Sequence, residues 1–312
     1  MLAGTLALAG CSSIPPTVSV PGATAYSVVK LDASHWGLVA VDPSTATAGY
    51  TATLPDLGAK PVSSWPISTA GGQATLAISC DDNQTRFVQV TDGGHSLAVL
   101  PIADDTGLAA SSGNALVWLQ PLQDKPAHLV AVDQRSGQQT GNADLDTVPT
   151  AMQAVPGGFL LAGTPDGNPG GRTTLEMLDP NLKVIWQTNA DLGTVLTLGW
   201  NAGPQVVVAD SKGDRQMRAG DTTISVFGVG SSAQQASLNG PAMIWRDADG
   251  TTVRLGSVKT TTKFSEPSSP LGLTVTPEGA WAVQYADAVG FGKIGDQTTR
   301  GYALPGTAIG QW

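Results

Sequence analysis

Two short stretches carry residues in an order that chemistry uses. Gly94-His95-Ser96-Leu97-Ala98 has the outline of a nucleophile elbow, in which a serine on a strained turn between a strand and a helix attacks an acyl carbon. The flanking order is inverted here. Asp92-Gly93-Gly94 reads as a hairpin turn and Ser96 to Leu100 as a strand stopped by Pro101, so no helix follows the serine. Phe227-Gly228-Val229-Gly230-Ser231-Ser232-Ala233 matches G-x-G-x-x-A, and Asp247 lies about twenty residues on, as in a dinucleotide cradle. A crossover helix needs roughly a dozen residues, and Gly240-Pro241 leaves only Ser231 to Asn239 for it. Both matches are read as turns.

Metal-ligand spacing is equally poor. The three histidines, His35, His95 and His128, are far apart, with no His-Glu-x-x-His pattern and no paired cysteines for zinc. Asp247-Ala248-Asp249-Gly250 holds part of a calcium loop but lacks the third acidic ligand and the distal glutamate. It is read as a hairpin turn between Ile244-Trp245 and Val253-Leu255. Asp81-Asp82 and Asp104-Asp105 are read as solvated turns. No catalytic, cofactor-binding or metal-binding residue is assigned.

Charge sets further bounds. Sixteen Lys and Arg stand against 25 Asp and Glu, a net charge of −9. Nucleic-acid binding rests on clustered cations that displace phosphate counterions, so nucleic acid is excluded as a partner. The same deficit argues against a basic patch that would hold the domain on anionic headgroups.

The residue with the most specific context is Cys11. The ten residues before it are apolar or small and uncharged, as in the apolar region of an export signal, and are too few to span a bilayer, which takes ~20. Leu8-Ala9-Gly10-Cys11 resembles the lipobox of bacterial lipoproteins. The resemblance implies cleavage before Cys11, a diacylglycerol on its sulfur, and an extracytoplasmic chain held in the membrane by that lipid. Two acyl chains give a stable attachment where one gives a reversible one. No basic residue precedes the apolar run, so translation is expected to start upstream of Met1. Residues 1–10 are thus read as signal, 11–23 as lipidated cysteine and flexible tether, and 24–312 as one domain. Cys80, the other cysteine, follows the alternation Leu76-Ile78-Cys80 and is read as a small core residue without a disulfide partner.

The elements behind these residues are strands. Charged residues make up 13 % of the chain, well below the roughly 25 % usual for soluble domains, while Gly (38) and Pro (21) punctuate short apolar runs rich in Val, Thr and Leu. Period-two alternation recurs, as in Arg86-Phe87-Val88-Gln89-Val90 and Thr173-Thr174-Leu175-Glu176-Met177-Leu178. One module repeats: a strand ending in Asp, then a polar turn. His35–Asp42, His128–Asp133 and Thr174–Asp179 are its clear copies and Thr85–Asp92 a looser one; Thr223–Gly228 and Val289–Asp296 are weaker. The spacing of the Asp ends, about 40–50 residues, is that of a propeller blade. Each such unit leaves an apolar face that only a neighbour can cover, so the units must close into a ring.

Leu129-Val-Ala-Val-Asp-Gln-Arg-Ser-Gly137 resembles the repeat of quinoprotein-type (PQQ-like) propellers. The strand–turn–strand segments 150–163 and 271–285 are closer to the WD40 style. The fold expected is an all-β propeller of about seven four-stranded blades, six and eight remaining open, closed by pairing near Thr24–Leu31 with Tyr302–Trp312. The eight tryptophans, spread along the chain, are expected mostly between blades, with one or two lining a binding face.

Function is expected to follow the rim that a propeller presents: a non-catalytic binding or scaffolding module for a protein or cell-envelope polymer. The plan resembles that of Gram-negative outer-membrane assembly scaffolds, a blade short, whereas the Ala/Gly/Thr/Asp-rich style resembles high-GC Gram-positive secreted proteins. The alternative is an extracytoplasmic propeller enzyme, a lactonase, glycan-cleaving enzyme or quinone-dependent dehydrogenase. That reading needs three or more acidic or histidine side chains meeting on the axis, where carboxylates would also hold Ca²⁺. A third reading, a sensor, needs a closed apolar pocket.

Overall fold

Strand-forming runs separated by turn residues fold into seven sheets, and the ring they make sets every distance below. The computed structural model describes residues 14–70, 73–100, 103–104, 106–120, 127–165, 167, 172–262, 270–295, 300–310 and 312. Cys11 lies outside them. Seven sheets of four strands each follow one another along the chain, with a short fifth strand, Ala103–Asp104, added to the second. Numbered in chain order as blades 1 to 7, they have as innermost strands Thr307–Ala308, Pro61–Ala70, Ala109–Ser112, Val148–Val155, Thr194–Trp200, Gln235–Asn239 and Gly272–Val275.

Seven apolar clusters lie one between each pair of neighbours. Val28, Leu38 and Ala40 of blade 1 meet Leu76, Ile78 and Val88 of blade 2. At the far side of the ring Ala282, Val289 and Phe291 of blade 7 meet Val29, Val39 and Val41 of blade 1. Covering both faces of every blade changes the pattern along its middle strands. In Arg172–Leu178 every residue after Arg172 is buried, Thr173, Thr174 and Glu176 included. The alternation read from the sequence there does not separate core from solvent, because a neighbour covers each side, as in sheets packed on two faces. The in–out alternation appears instead on the outermost strands, such as Val184–Asp191.

The Asp-terminated module occupies one structural position. Trp36–Asp42, Gln84–Thr91, Ala127–Asp133 and Arg172–Leu178 are each the third strand of their blade. Their Asp residues close the turn to the outermost strand. Asp133 Oδ1 accepts the Arg135 and Ser136 N–H groups at 3.0 and 2.8 Å, and Asp179 Oδ1 those of Asn181 and Lys183 at 2.8 and 2.9 Å. Ring closure occurs where expected. Ala25–Lys30 pairs with Thr307–Ala308 through Val29↔Ala308 and Lys30↔Thr307, and the Ile309 N–H donates to Val28 O at 3.0 Å.

Blade 5 departs from the rule. Its third strand, Thr222–Gly228, runs parallel to the second, Pro204–Ala209, and the strand between them in sequence, Arg215–Ala219, lies outermost. The chain therefore visits the outer edge first and returns to fill the gap. Both routes deliver it to the same end of the sheet, so blade 6 starts normally.

The segment before the first strand is not wholly free of the domain. Val20 and Ala23 are buried, and the Val18 N–H donates to Tyr50 O at 2.8 Å on the outermost strand of blade 1, Thr47–Thr53. Val20 and Ala23 thus pack on the ring within the stretch read from the sequence as tether, while residues 14–20 are without regular structure.

Candidate functional site

The innermost strand of every blade is a sheet edge, with unpaired N–H and C=O groups on one side, and the seven edges gather around the axis. All seven are without a charged residue: PVSSWPISTA, AASS, VPTAMQAV, TVLTLGW, QASLN, GLTV and TA. Small hydroxyl and amide side chains let these strands crowd together and still offer hydrogen bonds. In blade 6 the amides reach the neighbouring blade, Gln235 Nε2 donating to Leu271 O at 3.4 Å and Asn239 Nδ2 to Val275 O at 3.2 Å on blade 7.

Where the innermost strands end, the channel opens into a cavity of about 400 Å³. Neutral polar groups on its wall come from Ser68, Gln153, Thr197, Ser237, Asn239 and Thr274, five different blades. Trp200 and Trp312 supply indole surface. Trp312 is held by its Nε1–H, which donates to Ser27 Oγ at 2.8 Å, and by Gly272, where a Cβ would come within 2.5 Å of the Trp312 nitrogen. Thr24 Oγ1, also at this mouth, is buried without a hydrogen-bond partner among the described residues. The opposite end holds a cavity of about 560 Å³ lined by Ser63, Ser64, Trp65, Leu271 and residues 308–310. Among the described residues, neither wall carries an ionisable side chain.

The residues singled out in the sequence lie elsewhere. Ser96 begins a strand, Ser96–Val99, after the turn Asp92–Gly94, so the elbow geometry is absent and the serine is no more than a strand residue. Gly228 ends the displaced third strand of blade 5. A Cβ there would meet the Asp210 carboxylate and lie 2.7 and 2.9 Å from the Gly213 N and O, because the connection to the outer edge passes directly over it. Gly230 has φ +106°. This glycine pair serves a chain crossing, and a loop and a strand follow it rather than a helix.

Asp247 pairs with Gly250 at the head of a hairpin, as read, with Asp249 N–H donating to Asp247 Oδ1 at 2.9 Å. His35 pairs with Asp32 and His128 with Asp144, at 2.8 and 2.7 Å, on blades 1 and 3 respectively. Among the described residues no three His, Cys, Asp or Glu side chains gather as a metal site would need. Cys80 is buried in the cluster between blades 1 and 2, and burial pushes its thiol up, away from thiolate chemistry. Trp118, Trp245 and Trp281 pack between blades, Trp200 and Trp312 line one wall, and Trp65 lines the other. The indole N–H groups of Trp36, Trp65 and Trp245 find no partner among the described residues.

One reading needs correction. Asp82 is not simply a solvated turn residue. Both its oxygens take hydrogen bonds at 2.5 Å from the buried guanidinium of Arg86, whose Nε–H donates to Leu57 O at 3.1 Å. Asp105 lies outside the described residues. The sequence reading missed this pair, and also Asp210–Arg215 at 2.6 Å, which pins the crossing in blade 5. Spacings of four and five residues across a turn were the available signals.

The geometry defines a seven-bladed β-propeller, and comparison with solved structures agrees at the level of fold. A protein of unknown function from Desulfotomaculum acetoxidans superposes with a TM-score of 0.58 at 10 % identity, over 92 % of this chain and 97 % of that one. A chain of a mitotic checkpoint complex gives 0.56 at 10 % identity, over 90 % and 93 %. Hsv2 of Kluyveromyces lactis gives 0.51 at 12 % identity, over 76 % and 75 %. The likeness is one of fold. No family model and no curated protein matches its sequence.

Proposed function

We propose that this chain is a membrane-anchored, extracytoplasmic propeller that binds its partner without transforming it. The observation that carries the binding part is the uncharged axis. Acid–base or metal-assisted chemistry on a propeller axis draws on carboxylates or imidazoles converging there, and the described lining is made of hydroxyls, amides, indoles and aliphatic groups. The fold is commonly an interaction scaffold, since loops from every blade share one rim. The anchoring part is supported by Leu8-Ala9-Gly10-Cys11 and by residues 14–17, an irregular run that precedes the Val18–Tyr50 hydrogen bond.

Metabolic labelling with a palmitate analogue in a bacterial host tests the anchor. Wild type should carry the label and sediment with membranes, and Cys11→Ala should lose the label and appear in the soluble fraction. Label that persists in the variant removes the lipid from the proposal. Cross-linking on intact cells followed by affinity capture tests the scaffold, which predicts one partner recovered in stoichiometric yield. Turnover of a substrate with no such partner favours the enzyme reading.

A further inference from the structure

The mouth at which the innermost strands end is built for a ligand of one chemical class. We infer that it binds a neutral, polyhydroxylated ligand, a short segment of uncharged saccharide, an assignment that rests on the binding role proposed above. A charged ligand would leave water for a wall without an ionisable side chain among the described residues, which is costly for an unpaired ion. A purely apolar ligand would strand the hydroxyls of Ser68 and Ser237, and would leave Thr24 Oγ1 still without a partner. A sugar meets both demands at once. Its hydroxyls donate to and accept from Ser, Thr, Asn and Gln, and its C–H faces lie on indole surface, which Trp200 and Trp312 supply. The cavity of about 400 Å³ falls in the size range of small-ligand pockets.

A neutral peptide is the competing occupant. It would need one long edge strand to pair with, whereas the mouth offers only short strand ends, such as Ala236–Asn239 and Leu273–Val275, each from a different blade.

The experiment titrates the purified propeller with chitotetraose, cellotetraose and maltotetraose, with tetragalacturonate as the charged counterpart and a Gly-Ser decapeptide as the peptide. Tryptophan emission and calorimetry are the readouts, and the sugar is recovered afterwards and sized. At least one neutral tetrasaccharide should saturate with a change in emission, and tetragalacturonate should bind about tenfold more weakly or worse. Trp200→Leu should diminish the emission change, since Trp312 stays at the wall. Should that variant misfold, Gln153→Ala at an exposed position and Ser237→Ala at a half-buried one should each weaken binding about tenfold while keeping the wild-type melting profile.

The inference is overturned if none of the neutral sugars saturates, if tetragalacturonate binds as well as they do, if only the decapeptide binds, or if folded wall variants bind like wild type. A sugar that binds and is recovered shortened supports the ligand class and overturns the non-catalytic role. Failure of all sugars alongside a captured protein partner leaves that role standing without this ligand.

Discussion

At the scale of single residues, the ionisable groups of this protein serve its scaffold. Asp32 is held at about 2 by the Ser34 N–H at 2.8 Å, then by His35. A carboxylate lowered by folding stabilises the native state above its ordinary value, a contribution lost as pH falls through the folded one. Glu176 has the opposite sign. It is buried on the third strand of blade 4, and burial raises its pKa, helped by the nearby Asp146 charge and opposed by the Gln187 amide donating at 3.0 Å. Its charged form is penalised by folding, so the cost is absent below the ordinary value of 4.5 and grows as pH rises above it. Glu176→Gln removes the charge and keeps an amide to meet Gln187. It should stabilise the protein at neutral pH by about 1 kcal/mol and should give no gain in acid, as read by urea denaturation at two pH values.

At the scale of elements, blade 5 gives the sharpest prediction. Its displaced strand can slot between its neighbours only because Gly228 presents no side chain to the overlying residues Asp210 and Gly213. Gly228→Ala must push that crossing away and disturb the Asp210–Arg215 pair, so a loss of about 2–3 kcal/mol is expected by denaturant titration. The fold of the module is legible in most other blades. Asp42, Asp133 and Asp179 mark the end of the third strand in blades 1, 3 and 4 by residue type, because their side chains accept the backbone N–H groups of the turn, whereas Asp92 in blade 2 turns the chain at φ +54°. Blade 6 escapes this rule, since its third strand, Gly250–Leu255, ends on Gly256 at φ +56° instead of an aspartate.

At the scale of the whole molecule, stability depends on closing the ring. Thr307–Ala308 is short, yet it completes blade 1, and Trp312 seals the seam between blades 7 and 1. Deleting residues 306–312 uncovers apolar surface on both blades at once. The shortened chain should lose the single cooperative melting transition of wild type and aggregate at a lower temperature, which calorimetry and light scattering would report. A transition that stays sharp at the wild-type temperature would show that closure contributes little.

Strand-forming runs, Asp and Gly turns and a repeat of blade length were determined by the sequence alone, because local backbone preferences and the need to cover apolar faces act on each module separately. The ends that meet, near Ala25 and Thr307, followed from the same reasoning. Tertiary structure decided which strand of each blade lies next to the axis. Middle strands are buried on both faces and innermost strands are edges, and this difference in neighbours leaves no periodic mark in the chain. Only with that assignment do seven scattered uncharged segments become one channel wall. The reversed strand order of blade 5 was likewise a tertiary decision, set by a close passage between Gly228 and Asp210 that local propensity does not encode.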